Sequence, residues 1–207
     1  MTTTPQPSPA TVFVVDDDEA VRDSLALLLR SVELAVATFS SAHEFLDSYD
    51  PAAPGCLILD VRLPGMSGLE LQQRLADDGA DLPIVFITGH GDVPMAVRAM
   101  RRGAVDFLQK PFSDQELLDR VQQALAEQSQ RRQQSESKAE IAQRIRSLTP
   151  REHEVMELIV EGLANKVIAN RLGTSQRTVE VHRANVMRKM QADSVARLVH
   201  LVFAADT

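Results

Sequence analysis

Three short apolar runs in this chain end in charge. Thr11-Val12-Phe13-Val14-Val15 leads into Asp16-Asp17-Asp18, Cys56-Leu57-Ile58-Leu59 into Asp60, and Val105-Asp106-Phe107-Leu108-Gln109 into Lys110-Pro111. A fourth run, Ile84-Val85-Phe86-Ile87, ends on Thr88. Short, largely apolar runs bounded by turn formers read as buried strands of a parallel sheet covered by helices. In open α/β sheets of this kind, ligands bind beyond the carboxyl ends of the strands. Those ends carry Asp16, Asp17, Asp60, Thr88 and Lys110, so fold class and site are predicted together.

The charges say what such a rim would hold. Three carboxylates cannot crowd together in ionised form without a counter-charge. Hard oxygen ligands with spare coordination positions suit Mg²⁺, which keeps part of its water and binds phosphate oxygens. Lys110 supplies a point charge for a phosphoryl or carboxylate oxygen, and Thr88 offers a hydroxyl. The rim therefore reads as a site for a divalent cation and a phosphoryl group.

With those residues in hand, residues 11 to about 125 resemble the receiver domain of two-component response regulators. The matching motifs are Val15-Asp16-Asp17, Leu59-Asp60-Val61-Arg62-Leu63-Pro64-Gly65-Met66-Ser67-Gly68, Thr88-Gly89-His90-Gly91-Asp92 and Lys110-Pro111-Phe112. They occur together and in order. The resemblance implies a flavodoxin-like (βα)5 fold. It implies that Asp60 accepts a phosphoryl group from a phosphohistidine on a sensor histidine kinase. It implies Mg²⁺ held by Asp16, Asp17, Asp60 and the main-chain carbonyl of Arg62. It also implies that Thr88 and Phe107 form the switch and that Lys110 contacts the phosphoryl oxygens. Phe107 has no hydroxyl, so its tip adds no hydrogen bond when it turns inward.

Composition removes other classes. No apolar stretch approaches the ~20 residues needed to span a bilayer. The N-terminal Met-Thr-Thr-Thr-Pro-Gln-Pro-Ser-Pro has no apolar core of a secretory signal and reads as a disordered tail over 1–10. Cys56 is the only cysteine, which excludes an internal disulfide; it sits in a predicted strand as a small apolar residue. A reducing cytoplasm is the simplest compartment. The five histidines show no metal-ligand spacing. Charge divides the chain: residues 1–140 carry 12 basic against 22 acidic side chains, residues 141–207 carry 10 against 7. Only the second part has the sign to meet nucleic acid.

Helix starts are marked by capping boxes at Ser41…Glu44, Ser67…Glu70, Ser113…Glu116 and Thr149…Glu152. Asp92 can cap a further helix from Val93-Pro94. Strands alternating with helices are thus expected over 11–126. Residues 127–146 have no Gly or Pro, and 127–140 have almost no apolar side chain. They read as a linker, either a solvated helix or a disordered strap, with good helix formers favouring partial helix. The rest, 147–207, is predicted all-helical. A helix from Pro150 to Glu161 carries the stripe Val155, Leu158, Ile159, Leu163. A short one over Asn165–Leu172 turns Val167, Ile168 and Leu172 inward. A longer one over Gln176–Met190 follows the turn at Gly173, and Ser194 opens the last. A short helix, a glycine turn and a longer polar-faced helix are the pattern of a helix-turn-helix.

On the Gln176–Met190 helix, Val179, His182, Val186 and Met190 share a core-facing side. Arg177, Val181, Ala184 and Arg188 share the opposite side, which could enter a major groove. Residues 147–204 resemble the LuxR-type DNA-binding domain through Leu148-Thr149-Pro150-Arg151-Glu152, Gly162-Leu163-Ala164-Asn165-Lys166-Val167-Ile168-Ala169 and Thr178-Val179-Glu180-Val181-His182-Arg183. With the receiver in front, the chain resembles the FixJ subgroup of the NarL/FixJ response regulators. Glu180 departs from the lysine that many members carry; a carboxylate there can accept from a cytosine amino group or face solvent. Lys166 and Arg183 are assigned to phosphates. The resemblance implies a homodimer on phosphorylation, with Val97 packing and Arg101 pairing with Asp106 across it, on an inverted repeat of double-stranded DNA, with RNA polymerase as a further partner. The competing readings are a Mg²⁺-dependent phosphohydrolase with Asp60 as nucleophile and a phosphorelay interaction module. The first lacks a general acid two residues after the nucleophile, where Arg62 stands. The helix-turn-helix argues against the second.

Overall fold

The computed structural model describes residues 10–89 and 93–206, with Asp206 described for its backbone alone. The expected tail and the His90-Gly91-Asp92 part of the fourth strand-end motif, including the proposed Asp92 cap, lie outside the described residues. The chain forms two compact units that divide between Arg131 and Arg132.

In the first unit, five strands, β1 (Thr11–Val15), β2 (Ala35–Phe39), β3 (Gly55–Asp60), β4 (Ile84–Thr88) and β5 (Asp106–Gln109), alternate with α1 (Glu19–Ser31), α2 (Ala42–Ser48), α3 (Gly68–Asp77), α4 (Val93–Arg101) and α5 (Asp114–Arg146). All strand pairs are parallel, in the order β2-β1-β3-β4-β5. This is the flavodoxin-like order, in which chain direction across the sheet reverses between β1 and β3. The central strands β1, β3 and β4 are buried because each face has its own helices. Phe13, Val15, Leu57, Leu59, Ile84 and Phe86 pack with Phe45 of α2, Leu71 and Leu75 of α3 and Ala99 of α4. Val12, Val14, Cys56, Ile58, Val85 and Ile87 pack with Leu25 and Leu29 of α1 and Leu117 and Val121 of α5. Strict two-residue alternation thus puts one half of each strand against each helix layer. Cys56 is fully buried, and burial pushes its thiol up to about 12.

The predicted caps form with one displacement. Ser67 and Thr149 make reciprocal capping boxes with Glu70 and Glu152. Ser113 Oγ accepts from Glu116 N at 3.1 Å. Ser41 Oγ accepts from Glu44 N, but the Glu44 carboxylate reaches Ser40 N and Oγ, both at 2.7 Å, one residue before the cap. An unpredicted cap opens α1: Asp18 Oδ1 accepts from Ala20 N at 2.9 Å.

The stretch over 127–146, polar up to Glu140, is helical throughout, as the last part of the 33-residue α5. Side-chain pairs at four-residue spacing support it, including Gln123–Glu127 at 2.9 Å and Arg132–Glu136 at 2.9 Å. Within the first unit Gln128, 7% exposed, accepts from Gly55 N at 2.7 Å and donates to Asp81 O at 3.0 Å. It satisfies a backbone N–H and a backbone carbonyl that would otherwise lack partners there.

The second unit adds α6 (Pro150–Val160), α7 (Asn165–Arg171), α8 (Gln176–Met190) and α9 (Val195–Asp206) to the end of α5. Its core is Ile141, Val155, Met156, Ile159, Ile168, Ala169, Val179, Val186, Met190, Leu198 and Leu201. Gly162 follows α6 and Gly173 follows the short α7, both at positive φ, +84° and +61°, the backbone region where glycine carries no Cβ penalty. Val167 departs from expectation: it is 44% exposed, not turned inward. On the seven-residue α7, Ile168 and Ala169 hold the inner side, which leaves the residue before them outside.

Candidate phosphoacceptor site and DNA-facing helix pair

The sheet places every strand-end residue on the rim where β1 and β3 diverge. Asp16 follows β1, Asp60 ends β3, Thr88 ends β4 and Lys110 follows β5. Asp16 is completely buried, Thr88 is 1% exposed and Asp60 8%, whereas Asp17 is exposed. One oxygen from each of Asp16, Asp17 and Asp60 lies within 4.8 Å of the others. Hard donors that close, of which one is wholly shielded from water, are a set a divalent cation fits. Lys110 Nζ joins two of them, donating to Asp16 Oδ2 at 2.6 Å and to Asp60 Oδ2 at 3.1 Å.

Backbone groups hold the remaining oxygens. Asp18 N donates to Asp16 Oδ1 and Arg62 N to Asp60 Oδ1, each at 3.0 Å. Burial pushes the Asp60 carboxyl above its ordinary value, against the opposing pull of the Arg62 N–H and the Lys110 ammonium. Burial pulls Lys110 down, but its bonds to Asp16 and Asp60 outweigh this and its pKa rises. The pair therefore favours an ammonium facing a carboxylate that is poorly solvated and correspondingly reactive.

Three further residues shape the rim in ways the sequence reading does not show. Arg22 Nη1 donates to the backbone carbonyls of Asp16 at 2.8 Å and Asp17 at 3.0 Å, fixing the loop that presents both carboxylates. Asp18 is spent as the α1 cap. Gly68 lies so close to β3 that a Cβ there would stand 2.2 Å from Asp60 O, while Gly68 N donates to Val61 O at 3.0 Å. Only glycine lets α3 begin at that point. Phe107, half-buried, sits 6.2 Å from Phe86, ring centre to ring centre. On α4 the residues assigned to an interface are exposed: Val97 at 43%, with Arg101 beside it. Asp106 already has a partner in its own chain, Arg120 of α5, at 2.6 Å.

In the second unit, Arg177, Glu180, Ala184 and Arg188 of α8 are exposed and Val181 is 56% exposed; Lys166 of α7 is exposed as well. Arg183 is half-buried and donates to Asn165 Oδ1 at 3.1 Å, so it also ties α8 to the start of α7. A second tie fixes α8 on α6. Lys189 Nζ donates to Glu152 Oε2 at 2.6 Å and to Ser147 O at 3.0 Å. The Lys189 hydrogen bond and the Thr149 N–H hold the Glu152 carboxyl down to about 2. His182 faces inward as expected, and its buried Nδ1 has no hydrogen-bond partner among the described residues.

A parallel 2-1-3-4-5 sheet with an acidic rim, followed by a helix-turn-helix unit, defines a receiver joined to a DNA-binding output. Comparison with known proteins gives the same class. Residues 12–122 match the response regulator receiver domain and residues 146–202 the luxR family of bacterial regulatory proteins. The transcriptional regulatory protein FixJ of Azorhizobium caulinodans is 49% identical over 96% of this chain and 94% of that protein. Nodulation protein W of Bradyrhizobium diazoefficiens is 51% identical over 93% and 85%. Among solved structures, the response regulator StyR superposes with a TM-score of 0.89 at 51% identity, covering 95% of this chain and 99% of that one. The chain belongs to the two-component response regulators of the NarL/FixJ type, transcription regulators with a receiver and a LuxR-type DNA-binding domain.

Proposed function

We propose that the chain is a transcription regulator switched by phosphorylation of Asp60 by a sensor histidine kinase. The observation that carries this reading is the Lys110 ammonium bound to both Asp16 and Asp60 on the rim of the sheet. An Asp60 oxygen forms the new P–O bond as the P–N bond of the phosphohistidine breaks, and the leaving imidazole takes up a proton. Lys110 then meets the phosphoryl oxygens, and the Thr88 hydroxyl turns to them. Asp16, Asp17, Asp60 and the main-chain carbonyl of Arg62 are the groups that would hold Mg²⁺. When bound, the ion neutralises charge developing on the phosphoryl oxygens. A phosphoryl group adds charge and strong acceptor oxygens. Phe107 follows Thr88 inward, and the surface of α4 and β5 changes. Hydrolase chemistry is the weaker reading because Arg62, which does not give up a proton at neutral pH, occupies the general-acid position.

The output follows from symmetry. Receivers paired through Val97, Arg101 and Asp106 would present two identical helix-turn-helix units, and so would bind an inverted repeat. Arg177, Glu180, Val181, Ala184 and Arg188 face the bases, with Lys166 and Arg183 on phosphates and RNA polymerase recruited beside them. The receiver occupies 11–126, the linker 127–146 and the output 147–207, working in the cytoplasm. Among the described residues no helix is long and apolar enough to cross a membrane. The test is DNA binding by the purified protein with and without a small phosphodonor and Mg²⁺. Asp60→Asn, nearly isosteric, should keep the fold and abolish the gain. Stoichiometric acid-labile phosphate on Asp60→Asn would refute the assignment. Asp17→Asn should raise the Mg²⁺ concentration needed for half-maximal phosphorylation.

A further inference from the structure

A cleft of about 530 Å³ opens between the loop after β3, the first turn of α3 and the length of α4. Leu63, Leu69 and Met95 line it with apolar surface, Leu63 being buried and the others half-buried. Arg62, Arg98 and Arg102 line it with charge, and all three are exposed. Arg102 Nη1 rests on Leu69 O at 3.3 Å. The guanidinium groups of Arg62 and Arg98 make no hydrogen bond or ion pair among the described residues. The one carboxylate in the lining, Glu70, is committed to the α3 capping box, accepting from Ser67 N at 2.8 Å and Ser67 Oγ at 2.7 Å. Three guanidinium groups over an apolar floor thus stand in the part of the chain with a large acidic excess.

We infer that this cleft binds a small organic anion. A carboxylate, phosphate or phosphonate head would lie against Arg98 and Arg102, with Arg62 closing over it. An apolar body would cover Leu63, Leu69 and Met95. The planar guanidinium fork suits such heads because it donates two parallel hydrogen bonds to them. The volume falls in the range of small-molecule sites, roughly 300–1,000 Å³. An inorganic ion alone would leave the apolar floor in water. The inference concerns binding by α3, α4 and the loop between β3 and α3, and it does not depend on Asp60 being phosphorylated.

Phenylphosphonate is the probe, since its P–C bond prevents phosphoryl transfer to Asp60. Calorimetry and methyl NMR on the full chain without Mg²⁺, where the carboxylates at the β1/β3 rim repel anions, should show one saturable site. The shifted signals should be those of Leu63, Leu69 and Met95. Binding should be about tenfold tighter than for methylphosphonate, because the ring removes apolar surface from water. Arg98→Gln, whose guanidinium has no partner among the described residues, should weaken it about tenfold. Arg102→Gln should do the same, while Arg74→Gln, on the same helix layer but outside the cleft, should not. No saturation into the tens of millimolar, shifts centred on Lys110, or equal binding by Arg98→Gln would each overturn the inference. So would an Arg74→Gln loss as large as that of Arg98→Gln, which would mean attraction by bulk charge.

Discussion

The tie between Glu152 and Lys189 should govern how firmly α8, the helix proposed to face DNA, is held, and its strength can be worked out. Glu152 Oε2 takes the Lys189 ammonium at 2.6 Å and Thr149 N at 2.9 Å, with Glu152 only 4% exposed. Its pKa falls from 4.5 to about 2 on folding, the Lys189 hydrogen bond being the largest cause. A folded-state pKa below the unfolded one gives stability that is fully present above about pH 4.5 and is lost as pH falls towards 2. At 1.36 kcal/mol per pKa unit the shift corresponds to about 3 kcal/mol. The Lys189 side chain is 28% exposed, so screening reduces this to about 1.5 kcal/mol. Glu152→Gln keeps an acceptor for the Thr149 N–H and removes the charge; it should cost about 1.5 kcal/mol at pH 7, and the cost should shrink below about pH 4.5 and vanish only as pH falls through about 2. Lys189→Met should cost at least as much, because it leaves a carboxylate buried without its cation. The pair should couple by about 1–2 kcal/mol in a double-mutant cycle. Hydrogen exchange of α6 and α8 amides, read in the full chain at several pH values, measures this in the second unit alone. Parallel pH dependence in the wild type and Glu152→Gln, or a coupling below about 0.3 kcal/mol, would show that the contact adds nothing to stability.

Three other outcomes bear on the switch and on DNA reading. For the dimer, Asp106→Arg would set two cations together at Arg120, so the charge exchange belongs in an Arg120→Gln background. There Arg101→Asp and Asp106→Arg should each break the phosphorylated dimer in sedimentation and their combination restore it; fully dimeric single variants would rule the interface out. Lys166→Ala should weaken binding to all sequences about equally and reduce the salt slope by about one unit, and a loss confined to one operator would contradict a phosphate contact. Glu180→Lys should raise non-specific affinity and lower discrimination between operators, whereas unchanged affinity and preferred sequence in a binding-site selection would place residue 180 outside the interface.

What the sequence makes legible follows a physical rule. β1, β3 and β4 are buried on both faces, so their runs over 12–15, 56–59 and 84–87 are apolar without interruption, and a candidate site residue follows each run directly. The strongest fold signal therefore points directly at the site. β2 lies at the sheet edge, where Ala35 and Thr38 are exposed, so Ala35–Phe39 makes no such run. α1 gives no start signal because Asp18 caps it alone, with Val21 where a capping box needs Glu or Gln. Over 127–140 both a helix and a strap stay open, since side-chain pairs four apart support a helix without any apolar stripe.

The residues that sequence reasoning misses answer to backbone groups that no sequence pattern displays. Gln128 meets Gly55 from 73 positions away, and on a polar helix any glutamine would look the same. Arg22 is one charge among many on α1 until the carbonyls of Asp16 and Asp17 are seen beneath it. Gly68 stands in a motif that the sequence does display, yet its reason is a 2.2 Å approach to Asp60 O. All three place the carboxylates or anchor the elements that carry them, and do none of the proposed chemistry. A site of this kind is therefore specified twice, first by side chains at strand ends, which a sequence announces, and then by donors and small residues that hold the rim's backbone. Substitutions in the second set should spare the fold class while degrading metal and phosphoryl binding, which is the behaviour to look for first in Arg22→Ala.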